Sequence, residues 1–333
     1  MNHKSKMKPL WAVPAVAGAS LGIFTAHAAP GPFPPDVINQ LRTDSSTRIE
    51  SQDVLAGDYG INGGYYKGDN GAKINITKFG GAGDIGDPMP IGNTGLAWQP
   101  QLQGSMGVSE FKNTINASSG PTQVVNGDES IDNTFAIQFG GGARVWFADK
   151  WSFAPTIMGM YGHTYNDYTP NSVFGKANYE AAKQAGLIGW NVDTWTVRPA
   201  GEIQYVETWK RTLFTFSSSG TYYHTESFQS SDPNYSINGD SETWENKLDV
   251  DIPLGVDLWN HELRTGGYFQ RTEFYNDIQK GLNTDHLYEI NGRLVLDFLG
   301  QLWKVQYIGV GASYLWGSDF HGVSYGLDVA FRF

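Results

Sequence analysis

From about residue 53 to the last residue, apolar and polar side chains alternate with a period of two. That is the repeat of a strand whose successive side chains point to opposite faces. Asn133, Phe135, Ile137, Phe139, Gly141, Ala143, Val145 and Phe147 make one face of such a segment, and Thr134, Ala136, Gln138, Gly140, Gly142, Arg144 and Trp146 make the other. The same alternation runs through Trp195–Tyr205, Leu248–Leu258 and Tyr288–Phe298. Each run covers about 11 to 15 residues, against five or six for an ordinary globular strand. A tilted crossing of hydrocarbon needs about 9–11. A soluble sandwich also buries one face of each strand, but it rarely uses strands of this length. The pattern therefore predicts an all-β protein: a transmembrane antiparallel up-and-down β-barrel.

Composition agrees with a chain that exposes apolar side chains on one strand face only. The 333 residues include 11 Trp, 17 Tyr, 18 Phe and 41 Gly, yet the mean hydropathy is −0.36. Beyond the N-terminal region no stretch of about 20 apolar residues occurs, which excludes a helical span. The chain has no Cys, so disulfides, thiol chemistry and Cys-ligated metals are excluded. A closed barrel stabilises an exported chain without them, because its strands satisfy one another's backbone hydrogen bonds.

Residues 1–28 carry Lys4, Lys6 and Lys8, an apolar run from Leu10 to Phe24, and the small-residue pattern Ala26-His27-Ala28. These are the three parts of a secretory signal peptide. Its removal takes away three lysines and no acid, which moves the net charge from −11 to −14 and argues against nucleic acid as a partner. Residues 29–52 are Pro-rich and then polar, with one or two helical turns expected over 36–42, capped by Asp36. The barrel is expected over 53–333.

Tight connections at 148–150, 207–211, 259–261 and near Gly300 alternate with longer polar loops near 116–130, 166–193, 229–241 and 276–285. Short turns on the periplasmic side and long loops outside are the habit of outer-membrane barrels. The stretch 176–186 reads as a short surface helix. Counting strands back from the C-terminus gives eleven, the first at 72–79. A strand at 53–67, joined to it through the turn at 68–71, makes twelve and brings both ends of the barrel to the periplasm. Trp146, Phe147, Trp151, Tyr205, Trp209, Trp259, Phe298 and Trp303 gather beside the short turns, as an interfacial girdle does.

The last strand carries Val323, Tyr325, Leu327, Val329, Phe331 and Phe333 at every second position. It resembles the C-terminal strand of Gram-negative outer-membrane barrels, in which alternating apolar residues and a terminal aromatic form the signal read by the barrel-assembly machinery. That resemblance implies the outer-membrane bilayer and the assembly machinery as partners. With twelve strands and an N-terminal segment entering from the periplasm, the chain is similar to the translocator domain of autotransporters, in its solitary form. In that family an N-terminal helix threads the pore, and residues 36–50 would take its place. Only residues 29–52 precede the first expected strand, so no passenger is expected and the family's secretion activity is not carried over.

Arg144, Arg198, Glu202, Lys247, Asp249, Asp251, Arg293, Asp297, Asp328 and Arg332 fall on inward positions. A lysine or arginine facing lipid at mid-depth would cost about 2–4 kcal/mol, which supports that assignment. The charges either pair across a narrow lumen or line an aqueous path and set its selectivity. The expected function is a narrow or plugged pore, or a scaffold whose loops bind an unidentified surface ligand; a porin-like channel for small solutes is the alternative. A hydrolase is the third reading, resting on His224 with nearby Ser227 or on His321 with Asp319. His224 and Ser227, three apart on a strand, point to opposite faces, so no catalytic residue is assigned. No His spacing for a metal and no EF-hand run occurs, so no cofactor is expected.

Overall fold

The computed structural model describes residues 47–56, 60–69, 71–119, 123–232, 235–302 and 305–331. The expected signal peptide, the helical turns at 36–42 and most of the 36–50 segment lie outside them. Twelve antiparallel strands form a closed ring: β1 (Gly60–Gly68), β2 (Lys73–Asp84), β4 (Ala97–Ser119), β5 (Gln123–Ala148), β6 (Trp151–Thr169), β7 (Asn191–Trp209), β8 (Thr212–Ser230), β9 (Asn238–Leu258), β10 (His261–Asn276), β11 (His286–Leu302), β12 (Val305–Gly317) and β13 (Phe320–Phe331). A two-residue strand, β3 (Met89–Pro90), pairs with the start of β4 outside the ring. The ring closes where β1 pairs with β13, Ile61 opposite Leu327 through Gly68 opposite Phe320.

Period-two patterning is realised as lipid-facing and lumen-facing rows. Along β5, Phe135, Ile137 and Phe139 are exposed while Thr134, Ala136 and Gln138 are buried. Phe139 is 66% exposed and Ile157 of β6 is 60% exposed, levels that only a lipid contact makes favourable over so wide a band. Among the described residues no helix is long and apolar enough to cross a membrane. Trp98, Phe147, Trp151, Trp209 and Trp259 are exposed beside the short turns. The β9–β10 turn places Trp259 and Asn260 at φ of 53° and 64°, the paired left-handed conformation of a two-residue hairpin. Gly255, at φ 68°, sits in the bulge where the β9–β10 register slips between Leu263 and Arg264; a non-glycine residue would be strained there.

The opposite rim differs from the expected loops in three places. The polar stretch 116–130 is a continuation of the β4–β5 hairpin, whose ladder runs to Ser119 opposite Gln123; polar strand ends beyond the bilayer lack the apolar half of the pattern. The β6–β7 helix begins earlier than expected: α2 covers Val173–Gln184, because the Ser172 hydroxyl caps it by accepting from the Gly175 N–H at 2.8 Å. The 276–285 loop contains a short helix, α3 (Asp277–Leu282), whose Ile278 and Leu282 turn inward.

The first strand is also shorter than patterning suggests. Residues 53–55, placed in it by alternation, complete the helix α1 (Arg48–Leu55), and β1 begins at Gly60. Helix α1 lies inside the ring. Arg48, Ile49, Glu50, Ser51, Gln52, Asp53 and Leu55 are all buried. Leu55 and Ala56 join Tyr66, Ile74, Phe111, Ile278 and Leu282 in one apolar cluster inside the ring. Each such side chain contributes about 1.5–3 kcal/mol by leaving water.

Candidate functional site

Helix α1 brings Arg48, Glu50 and Asp53 into the lumen, and the barrel wall supplies a partner to each. Near its start, Arg48 Nε donates to Asp132 of β5 at 2.9 Å, while its guanidinium stacks 4.2 Å from the Phe111 ring. Asn166 of β6 donates to the second Asp132 oxygen at 2.7 Å. One turn on, the Glu50 carboxylate accepts from the Thr225 hydroxyl at 2.6 Å. Its other oxygen is buried with no hydrogen-bond partner.

The centre of the site is Asp53. Lys78 of β2 reaches one carboxylate oxygen at 3.0 Å and Arg198 Nε of β7 reaches the other at 3.1 Å. Gln138 of β5 donates at 2.6 Å and Tyr223 of β8 at 3.0 Å. One carboxylate thus ties four strands on different sides of the ring to the helix. Lys78 also donates to the backbone carbonyls of Asp53 and Ala56, each at 3.3 Å, and so caps the free carbonyls at the helix end. The Tyr66 hydroxyl donates to the Leu55 carbonyl. At the other end, Gly281 of α3 lies so close to Thr47 that a Cβ there would stand 2.0 Å from its hydroxyl.

On the short-turn side of α1 the lumen holds a cavity of about 660 Å³. Arg144, Arg198, Glu202, Lys247, Asp249 and Arg293, all expected inside, line it together with glutamines and asparagines. Arg144 lies 3.7 Å from Asp84 and 3.6 Å from Glu202 and donates to Gln204 at 2.7 Å. Arg293 grips Asp249 through two parallel bonds of 2.6 and 2.7 Å, the bidentate geometry that suits guanidinium to carboxylate. The Lys247 ammonium sits 4.0 Å from the Tyr268 ring centre. Asp251 pairs with Arg264 at 2.6 Å, away from the cavity wall. Asp297 is half-buried opposite Glu262 and Tyr307. The Asp328 side chain and all of Arg332 lie outside the described residues.

The last strand presents Val323, Tyr325 and Leu327 outward and exposed. Val329 is half-buried, and the Phe331 side chain and Phe333 lie outside the described residues. His224 also faces outward, 2.9 Å from Asp240 and 3.3 Å from Glu226. The Ser227 hydroxyl is spent on the Ile237 N–H at 2.9 Å.

Sequence reasoning missed Asp53, Lys78, Arg48 and Asp132. Lys78 carries a readable signal, since it falls in register with the inward Ile74 and Ile76. Helix α1 carries none, because Ile49, Val54 and Leu55 are too few among Arg48, Glu50, Ser51, Gln52 and Asp53 to make an apolar stripe.

The family model described as solitary outer membrane autotransporter beta-barrel domain matches residues 89–327, more than half of the chain. A search of curated protein sequences finds no match. Among solved structures, the transport unit of the autotransporter AIDA-I from Escherichia coli superposes with a TM-score of 0.55 at 10% identity, over 88% of this chain and 99% of that one. The translocator domain of the autotransporter NalP from Neisseria meningitidis gives 0.53 at 11% identity, over 86% and 93%. The β-domain of the Bordetella autotransporter BrkA gives 0.50 at 11% identity, over 83% and 100%. At these identities the likeness is one of fold.

Proposed function

Because the chain belongs to the family of solitary outer membrane autotransporter β-barrel domains, we propose that it is a pore held shut by its own helix α1. The observation that carries this reading is Asp53, through which the helix is bound inside the lumen to four strands. The vestibule beyond it, with its mixed charges, is the part of an aqueous path that remains when the helix is docked. Undocking α1 joins the vestibule to the outside. Once open, the lumen behaves as a small-solute channel whose selectivity is set by Arg144, Glu202, Lys247 and the Arg293–Asp249 pair.

The activity is transport or scaffolding rather than catalysis. His224 serves to hold Asp240, so His224→Ala and His321→Ala leave lipid and peptide turnover at the background of the unchanged protein. Residues 1–28 direct export and are removed, and the alternation from Val323 to Phe333 presents the barrel to the assembly machinery of the outer membrane.

Single-channel conductance in planar bilayers tests the reading. The chain from residue 29 is expected to be closed for most of the record, and a version lacking residues 29–56 is expected to conduct continuously. Equal conductance from both, or none from the shortened form once its heat-modifiable mobility shows a folded barrel, removes α1 as the closing element.

A further inference from the structure

The outer wall of the ring carries a charge cluster that neither the plug nor the vestibule uses. Lys67 of β1 stands directly opposite Lys73 of β2, and Lys73 directly opposite Lys112 of β4. On the other side, His321 of β13 stands opposite Lys67. Strand parity puts the row outside. Lys67 shares its face with the exposed Ile61 and Tyr65, Lys73 with Phe79, and His321 with Val323 and Tyr325. Because β1 and β2 meet at the long-loop rim, the row marks the outer border of the lipid belt.

Like charges placed directly across a ladder, with Cβ atoms about 4.5–5.5 Å apart, destabilise it. Lys112 is paired with Glu129 at 2.8 Å, but Lys67 and Lys73 form no ion pair among the described residues. The nearest carboxylate in the row below, Glu110, accepts from Asn75 at 3.1 Å. Elsewhere on this border the charges are satisfied: Asp193 by Tyr161 and His163, Asp240 by Tyr222 and His224, and Arg271 by Glu273. Lys67 and Lys73 thus stand side by side without an ion pair, below the exposed Asp69 and Asp319 of the adjoining turns, on one seam of a chain whose net charge is −11.

A second feature adjoins the row. Beside Lys73 and Lys112, on the membrane side, the outer wall is creased by a groove of about 290 Å³ lined by Val108, Phe135 and Tyr165, with the polar Thr77, Glu110 and His163 along its border. Val108 and Phe135 are 54% and 42% exposed there, so the crease offers apolar surface to a hydrocarbon chain. With strands about 4.8 Å apart, Lys67 and Lys112 are separated by about 10 Å, a span that accommodates a headgroup bearing more than one phosphate. We propose that the Lys67–Lys73–Lys112 row binds the phosphorylated headgroup of an outer-leaflet glycolipid, with one acyl chain laid in the Val108–Phe135 groove. The ligand supplies the counter-charge that the ladder lacks and fixes this seam against the bilayer.

The experiment uses the chain from residue 29, folded in detergent, and native mass spectrometry with three probes. These are a bis-phosphorylated acylated diglucosamine lipid, the same lipid without phosphates, and inorganic phosphate. The phosphorylated lipid is expected to bind, and the triple variant K67Q/K73Q/K112Q to weaken it at least tenfold. Val108→Trp, which fills the groove, is expected to weaken it severalfold with the lysines intact. K150Q/K210Q, at the opposite rim, serves as the control for loss of surface lysines and retains full binding. All the substituted lysines lie on the surface, and heat-modifiable mobility verifies the fold of each variant. Equal binding of the phosphate-free lipid, unchanged binding by the triple variant, or complete displacement by an equal concentration of inorganic phosphate overturns the proposal; the last of these assigns the row to a free anion instead.

Discussion

Replacing Asp53 with alanine isolates the force that keeps α1 docked. The substitution removes both ion pairs and two side-chain hydrogen bonds at once, and it leaves Lys78 with a side chain only 3% exposed. Breaking one partner out of a buried pair costs about 3–5 kcal/mol, since the remaining charge is stranded. Lys78 keeps the Asp53 and Ala56 carbonyls as acceptors, so the lower end, about 3 kcal/mol, applies. At about 1.4 kcal/mol per decade, the ratio of undocked to docked helix rises roughly a hundredfold. The absence of cysteine makes the assay direct. Ser51 is fully buried on α1, and Ser51→Cys provides a single thiol that a maleimide reaches only when the helix leaves its seat. Labelling of S51C/D53A is expected to run about a hundred times faster than that of S51C. Adding Lys78→Met, which removes the stranded charge, should recover at least half of the protection on a logarithmic scale. Labelling of S51C/D53A within threefold of S51C refutes the argument that Asp53 holds the plug.

Other expectations follow from the same geometry. Arg48→Met should accelerate Ser51→Cys labelling by roughly one to one and a half decades, corresponding to about 2 kcal/mol for a charge-assisted bond, because Asp132 keeps Asn166; a change below twofold contradicts it. Glu50→Gln should leave thermal stability unchanged or raise it, since one carboxylate oxygen has no partner to lose. A loss of more than about 1 kcal/mol in the unfolding transition would show that the second oxygen is satisfied in solution. Gly281→Val should loosen the helix start against α3, because the added carbon meets the Thr47 hydroxyl, and it should raise the open probability in planar bilayers. Deleting Phe333 should lower the yield of inserted barrel in cells while leaving refolding in detergent unaffected; equal yields in cells would remove the terminal aromatic from the assembly signal.

Strands were legible because a strand that faces lipid on one side and water on the other must alternate. Phe135, Ile137 and Phe139 against Ala136 and Gln138 leave no other reading. The alternating runs Trp195–Tyr205, Leu248–Leu258 and Tyr288–Phe298 fall within β7, β9 and β11. Beyond the bilayer that signal fades, which is why the polar end of the β4–β5 hairpin read as loop. Arg144, Arg198, Glu202, Lys247, Asp249 and Arg293, expected inward by the cost of turning them to lipid, line the lumen cavity. Helix α1 was not legible, because its partners Lys78, Asp132, Gln138 and Arg198 are scattered over the chain. Alternation across 53–67 then extended the first strand over residues that finish the helix. Charge pairing across a lumen depends on which strands become neighbours, and a one-dimensional pattern does not carry that.

The pairing of β1 with β13 bears on the order in which the ladders close. The ladder between them ends at Ile61 opposite Leu327, whereas β4 and β5 stay paired from Ala97 to Ser119. Almost every other ladder joins neighbours in the chain, and hairpins of that kind form early because little chain entropy is spent on closing them. The β1–β13 ladder joins the two extremes of the barrel and must come late. Until it forms, the sheet is an open ribbon with two bare edges. Helix α1 immediately precedes the strand that completes the circle, so Asp53 can find Lys78 and Arg198 while the ribbon is still curling. The helix is then wrapped rather than threaded, and the last ladder to zip is the one that imprisons it.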